Sequence, residues 1–159
     1  MKLEENQQGR YNHRIALYSL GGVGKTQLAL AYAYKYKDRY THIFWIEASS
    51  QEQLLEGFGE IERHTNCVTN PFVRSHPTRI AQAVLEWLRN QSNWLLIIDG
   101  LNDIKMIDGL LPRLDCFGHT LITTRDSHCD GIPANGLEVL PMEPEESTSF
   151  LLQRAGFNW

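Results

Sequence analysis

The chain has 159 residues, 42% of them apolar and 10% aromatic, which suits one globular domain with a real core and excludes a disordered chain. A net charge of −4 argues against non-specific nucleic-acid binding, which needs a basic face, and leaves room only for a local basic site. Cys67, Cys116 and Cys129 are widely spaced and form no C-x-x-C pair, and the scattered histidines show no ligand spacing, so neither a zinc framework nor a disulfide scaffold is suggested. Reduced thiols, a polar N-terminus and no apolar run of transmembrane length give the expectation of a soluble cytoplasmic chain with no membrane partner.

Residues 1–13 are polar and without periodicity, and read as an arm or linker. Residues 14–156 read as a single domain, and residues 157–159 as a short aromatic tail. Arg14 to Leu20 is the first predicted strand, apolar with little alternation, as a strand covered on both faces should be. Ser19-Leu20-Gly21-Gly22-Val23-Gly24-Lys25-Thr26 follows and runs into a helical pattern from about Gly24 to Asp38, with Leu28, Ala31, Tyr32 and Tyr36 on one face.

Strand, glycine turn and helix are the context that a phosphate-binding P-loop requires. Glycines let successive N–H groups curl around an anion, and the helix N-terminus supplies unpaired donors and a partial positive charge. Lys25 adds a point charge that reaches terminal phosphates, and the Thr26 hydroxyl is placed to ligate Mg²⁺. The pattern G-x-x-x-x-G-K-[ST] departs at its first position, where this chain has Ser19.

Thr41 to Ala48 is the second predicted strand, and Ser49 with Glu52 reads as a capping box for the next helix. Leu54, Leu55, Phe58 and Ile61 give that helix an apolar face, while Gly57 and Gly59 weaken its C-terminal half. His64 to His76 has loop composition, and Pro77 opens an amphipathic helix to about Arg89. Trp94-Leu95-Leu96-Ile97-Ile98-Asp99 reads as a buried parallel strand carrying its acid at the carboxyl end, where ligands bind in open α/β sheets. Asp99 thus falls on the same edge as the glycine turn and can share the Mg²⁺ with Thr26.

Ile104 to Leu111 reads as a short helix, and Thr120 to Thr124 as a fourth strand followed at once by Arg125-Asp126. Gly136 to Leu140 reads as a short fifth strand. Glu143-Pro144-Glu145-Glu146 opens a last helix, with Gly156 at a C-cap position. The alternation of strands and helices predicts an α/β fold of the P-loop NTPase kind: a Rossmann-like parallel sheet of about five strands with helices on both faces.

Three of these stretches together are more specific. Gly21 to Ala29, Leu95 to Asp103 and Leu121-Ile122-Thr123-Thr124-Arg125-Asp126 resemble, in order, the first motif, the second kinase motif and the T-T-R strand of the NB-ARC nucleotide-binding domain. That domain belongs to STAND-class P-loop NTPases of the NOD-like receptor and apoptosome ATPase type, and the Gly-Lys-Thr-Gln wording is most similar to fungal members. The resemblance spans roughly residues 10–156.

It implies ADP or ATP with Mg²⁺ as ligands. The backbone of Gly21, Gly22, Val23, Gly24, Lys25, Thr26 and Gln27 would wrap the phosphates, Thr26 and Asp99 would hold the metal, and Arg125 would sense the γ-phosphate. It also implies a switch in innate-immune-type signal transduction: ADP holds a closed form, and ATP opens it to oligomerise. The helical and winged-helix subdomains that hold the adenine have no counterpart in residues 1–159, so a partner domain or protein is expected over the C-terminal side.

The family usually carries a second acid directly after the first, where this chain has Gly100. No catalytic residue is therefore assigned firmly. Asp103 could serve only if its loop folds back, and the chain is expected to be at most a slow ATPase. A turnover ATPase or kinase and a pseudo-NTPase interaction module are the alternative readings.

Overall fold

A parallel strand covered on both faces is apolar at successive positions, and Ile15-Ala16-Leu17 and Trp94-Leu95-Leu96-Ile97-Ile98, all buried, meet that condition in a five-stranded sheet. The computed structural model describes residues 11, 13–19, 24–124, 131–139 and 144–155. Among them the strands are β1 (Arg14–Tyr18), β2 (His42–Glu47), β3 (Ser92–Leu101), β4 (Phe117–Thr124) and β5 (Asn135–Glu138). All pairings are parallel, in the spatial order β2-β3-β4-β1-β5. The helices are α1 (Lys25–Lys35), α2 (Gln51–Thr65), α3 (Pro71–Arg74), α4 (Pro77–Arg89) and α5 (Pro144–Ala155).

Successive strand residues serve opposite faces. Ile15 and Leu17 of β1, Leu95 and Ile97 of β3 and Leu121 of β4 pack with Leu28, Ala29 and Tyr32 of α1 and Leu151 of α5. Ala16, Leu96, Ile98 and Ile122 face the other way, onto Leu54, Phe58 and Ile61 of α2 and Ala81, Val84 and Leu88 of α4. Each large aliphatic side chain so buried contributes about 1.5–3 kcal/mol. The Trp94 ring fills the space where a Cβ on Gly118 would sit, and its indole N–H donates to the Leu88 carbonyl at 2.9 Å.

Two buried polar groups tie the amino end of the sheet. The Arg14 guanidinium donates to the Pro133 carbonyl at 2.9 Å and to the Pro112 carbonyl, and burial lowers its pKa from the ordinary arginine value. A hydroxyl chain runs from Tyr32 to Tyr40 (2.9 Å) and on to His119 Nδ1 (2.8 Å). Burial raises the pKa of both tyrosines, so both remain neutral donors and acceptors.

Several sequence expectations need correction. The cap of α2 is Ser50, whose Oγ accepts from the Gln53 N–H at 3.2 Å; the Ser49 hydroxyl reaches the Gln53 side chain. Both Ser49-x-x-Glu52 and Ser50-x-x-Gln53 satisfy the capping-box pattern, and the extended backbone of Ser50 (φ −145°, ψ 160°) decides between them.

Gly57 and Gly59 do not interrupt α2, which runs to Thr65. A Cβ on Gly57 would stand 2.6 Å from Ile46 Cγ2, so the glycine is what lets the helix lie against β2. The His64–His76 segment contains the short helix α3, capped by the Asn70 side chain. The α-helix after the glycine turn ends at Lys35 and is followed by a 3₁₀ turn over Lys37–Arg39. Its core face is Leu28, Ala29, Tyr32 and Ala33, with Ala31 only half-buried. The Ile104–Leu111 helix reduces to a single 3₁₀ turn, Ile104–Ile107. β3 and β4 begin earlier than expected, at Ser92 and Phe117, and β5 is Asn135–Glu138. Leu140, Glu143 and Gly156 lie outside the described residues.

Candidate functional site

Because every strand runs the same way, their carboxyl ends share one edge, and Gly24, Lys25, Thr26, Gln27 and Asp99 gather there. α1 starts at Lys25, directly after Gly24, whose φ of 87° is a left-handed conformation that a glycine adopts without strain. Gly24 has no side chain with which to cap the helix, so the first amides of α1 keep the donor capacity that a helix start offers. Lys25 and Asp99 are buried, 8% and 6% exposed. The Lys25 ammonium donates to Ser19 Oγ at 2.9 Å, so the residue that departs from the glycine pattern holds the lysine.

Asp99 stands opposite. Thr26 Oγ1 donates to Asp99 Oδ1 at 2.8 Å, and Thr123 Oγ1 donates to the same oxygen at 2.6 Å. The Thr123 hydroxyl in turn accepts from the Gly100 N–H at 2.7 Å, and the Asp99 carbonyl accepts from the Ala48 N–H at 2.8 Å. The carboxylate is thus fixed by β4 and by α1 together.

Gly100 has φ +73°, and the β3–β4 register shifts between Ile98 and Leu101. This is a bulge with a left-handed glycine, which re-aims the strand end. It explains why an acid is missing at 100: the backbone there favours glycine.

These groups line a cavity of about 500 Å³ formed by Gly24, Lys25, Thr26, Gln27, Glu47, Ser49, Asp99, Gly100, Thr123 and Thr124. Gly24, Lys25, Thr26, Gln27 and Asp99 are therefore brought together. Gly21, Gly22, Val23 and Arg125 lie outside the described residues, although Thr124, immediately before Arg125, lines the cavity. Asp103 is not on this wall: its Oδ1 accepts from the Lys105 N–H at 3.0 Å and caps the 3₁₀ turn.

Sequence reasoning passed over Thr123 and Glu47. Thr123 belongs to the Leu121–Asp126 stretch, whose resemblance assigns a role only to the arginine. Glu47 ends an apolar run, Ile43-Phe44-Trp45-Ile46, which is the signal that singled out Asp99.

Chemically, the cavity offers a helix N-terminus and a buried ammonium for a polyanion, with a hydroxyl and a carboxylate side by side for a hard cation. Among the described residues no cluster of three or more His, Cys, Asp or Glu could hold a metal ion. The Thr26–Asp99 pair still suits Mg²⁺, which takes one or two protein oxygens and fills its remaining positions with water and phosphate.

No family model matches the chain. Over 98 residues it is 33% identical to a nucleotide-binding leucine-rich repeat (NLR)-like protein of Hyaloscypha variabilis, an alignment covering 59% of this chain and 10% of that protein. The chain thus spans about a tenth of the length of the curated relative it matches. Among solved structures, the Aeropyrum pernix ORC2 protein, determined as ADPNP–ADP complexes, is 14% identical with a TM-score of 0.45, over 97% of this chain and 50% of that one. No helix among the described residues is long and apolar enough to cross a membrane. The parallel sheet, with Gly-Lys-Thr opening the helix after its β1 strand and an acid at the end of β3, is the α/β fold of a P-loop NTPase.

Proposed function

We propose that this chain binds ADP and ATP with Mg²⁺ as the nucleotide-binding core of a STAND-class, NOD-like signalling switch of the NB-ARC type, with slow hydrolysis. The observation that carries the reading is the Thr26–Asp99 contact, 2.8 Å, beside the buried Lys25 in one cavity. Lys25 neutralises the β- and γ-phosphates, and the amides from Gly21 to Gln27 wrap them. Thr26 and Asp99 would hold Mg²⁺, which when bound offsets charge on the phosphate oxygens. Arg125, one residue beyond the cavity-lining Thr124, is assigned to sensing the γ-phosphate.

The likeness to the nucleotide-binding leucine-rich repeat-like protein of Hyaloscypha variabilis supports the NLR side of the reading. In a longer chain the same core would work in the cytoplasm against helical and winged-helix subdomains, or a partner protein covering its C-terminal side. ATP would then favour an open, oligomerising form and ADP a closed one.

Arg125→Ala tests the sensor role: it should weaken ATP binding more than ADP binding, and equal losses would remove it. Phosphate release tests the switch itself. Sustained turnover above about 1 s⁻¹, the low end of ordinary enzymes, would favour an ATPase or kinase instead.

A further inference from the structure

We infer that Glu47 is the catalytic base for the slow hydrolysis of bound ATP, in place of the acid that Gly100 displaces. The inference rests on the nucleotide-binding reading above. Among the described residues that line the cavity, the carboxylates are Asp99 and Glu47. They end neighbouring parallel strands in direct register, Glu47 opposite Asp99, so their side chains leave the same face of the sheet about 4.8 Å apart along the pairing direction.

Asp99 is committed elsewhere. Its Oδ1 already accepts the Thr26 and Thr123 hydroxyls, which suits a metal ligand and not a proton acceptor. The competing positions fail for stated reasons: residue 100 sits at φ +73°, and Asp103 caps a 3₁₀ turn away from the cavity. Glu47, by contrast, lines the cavity while exposed to solvent, and the Trp45 indole N–H donates to its Oε1 at 3.3 Å. That contact orients the carboxylate without burying it.

As a water oxygen bonds to the γ-phosphorus, one of its protons passes to the Glu47 carboxylate. The bond from the γ-phosphorus to the β–γ bridging oxygen breaks, and its electron pair leaves with ADP. Inorganic phosphate departs, and the Glu47 proton returns to solvent. A positioned base of this kind contributes about 10²–10⁴-fold. Because Glu47 lies one strand further out than position 100, the expected rate remains low.

The test is single-turnover hydrolysis of γ-labelled ATP with Mg²⁺ and excess protein, for the wild type, Glu47→Gln and Glu47→Asp, beside calorimetric affinities for ATP and ADP and a thermal melt of each. Glu47→Gln should slow phosphate release by about 10²-fold or more, with both affinities within about threefold and an unchanged melt. Glu47→Asp should keep part of the rate. An unchanged rate in Glu47→Gln would overturn the assignment. So would a loss of ATP affinity as large as the loss of rate, which would place Glu47 in binding, or a wild type that binds ATP and never cleaves it. Failure of the wild type to bind either nucleotide would instead strike the reading beneath it.

Discussion

Thr26 and Asp99 are seventy-three residues apart in sequence, and the hydroxyl of the first donates to Oδ1 of the second at 2.8 Å. The contact joins the first turn of α1 to the end of β3 across the intervening strand β4, whose Thr123 grips the same oxygen at 2.6 Å. A divalent cation entering here would meet a carboxylate already aimed. Thr26→Ala should therefore cost about 1–3 kcal/mol of Mg²⁺-dependent nucleotide affinity, roughly fivefold to 150-fold, with little change in binding without the metal. The check is calorimetry with and without Mg²⁺; equal losses in both conditions would contradict the metal role.

Gly100 shows how one residue can carry two consequences. Its left-handed backbone makes the bulge that turns the Asp99 end of β3, and it removes the second acid. No atom lies within 4 Å of a Cβ built there, so an aspartate has space but not a comfortable backbone. Gly100→Asp should destabilise the fold by about 1–2 kcal/mol and raise single-turnover phosphate release. Denaturant unfolding and phosphate release measure the two parts; an unchanged rate would remove the account of the missing base.

The paired glycines of α2 make opposite predictions. An alanine at 57 gains about 1 kcal/mol of helix propensity but drives its Cβ to 2.6 Å from the fully buried Ile46, an overpacking cost of about 1–3 kcal/mol. At 59 the nearest atom is the end of the flexible Arg63 side chain, 3.6 Å away, so the propensity gain is kept. Gly57→Ala should lower the unfolding midpoint and Gly59→Ala should raise it. Equal shifts would show that the close approach of α2 to β2 does not hold in solution.

That contrast marks what a sequence conveys and what it hides. The strands β1 and β3 were legible because burial on both faces favours unbroken apolar runs, and β4 showed itself by its Leu121-Ile122 pair between β-branched threonines. Lys25, Thr26 and Asp99 were legible because their chemistry needs fixed neighbours. The continuity of α2 was hidden, since propensity counts the glycines as costs and only the packing against Ile46 makes Gly57 an asset. The choice of Ser50 over Ser49 as cap was hidden by two overlapping patterns. Thr123 and Glu47 were hidden because their place in the site depends on β2 and β4 both flanking β3, a matter of strand order.

His119 gives the fold a pH dependence. It is 8% exposed and bonded to Tyr40, and His13 stacks against it at 5.5 Å between ring centres. Burial first, then the neighbouring His13, lowers its pKa from 6.5 to about 4. The unfolded chain thus takes up a proton in that interval that the folded chain refuses. The stabilisation is complete above about pH 6.5 and is lost as the pH falls through that value toward about 4. The loss at the acid end is on the order of 3 kcal/mol at most. His119→Asn, which keeps a polar atom near Nδ1, should flatten the stability profile between those limits. An equally steep profile in the variant would assign the acid sensitivity to other groups.

The central claim is that the cavity beside α1 grips a magnesium-bound polyphosphate through Lys25, and titration calorimetry of ADP and ATP with Mg²⁺ tests it most directly. The account predicts saturable binding of both nucleotides by the wild type, abolished in Lys25→Ala while the thermal melt without nucleotide stays cooperative. Binding that survives Lys25→Ala, or an intact wild type that gives no heat with either nucleotide, would contradict it.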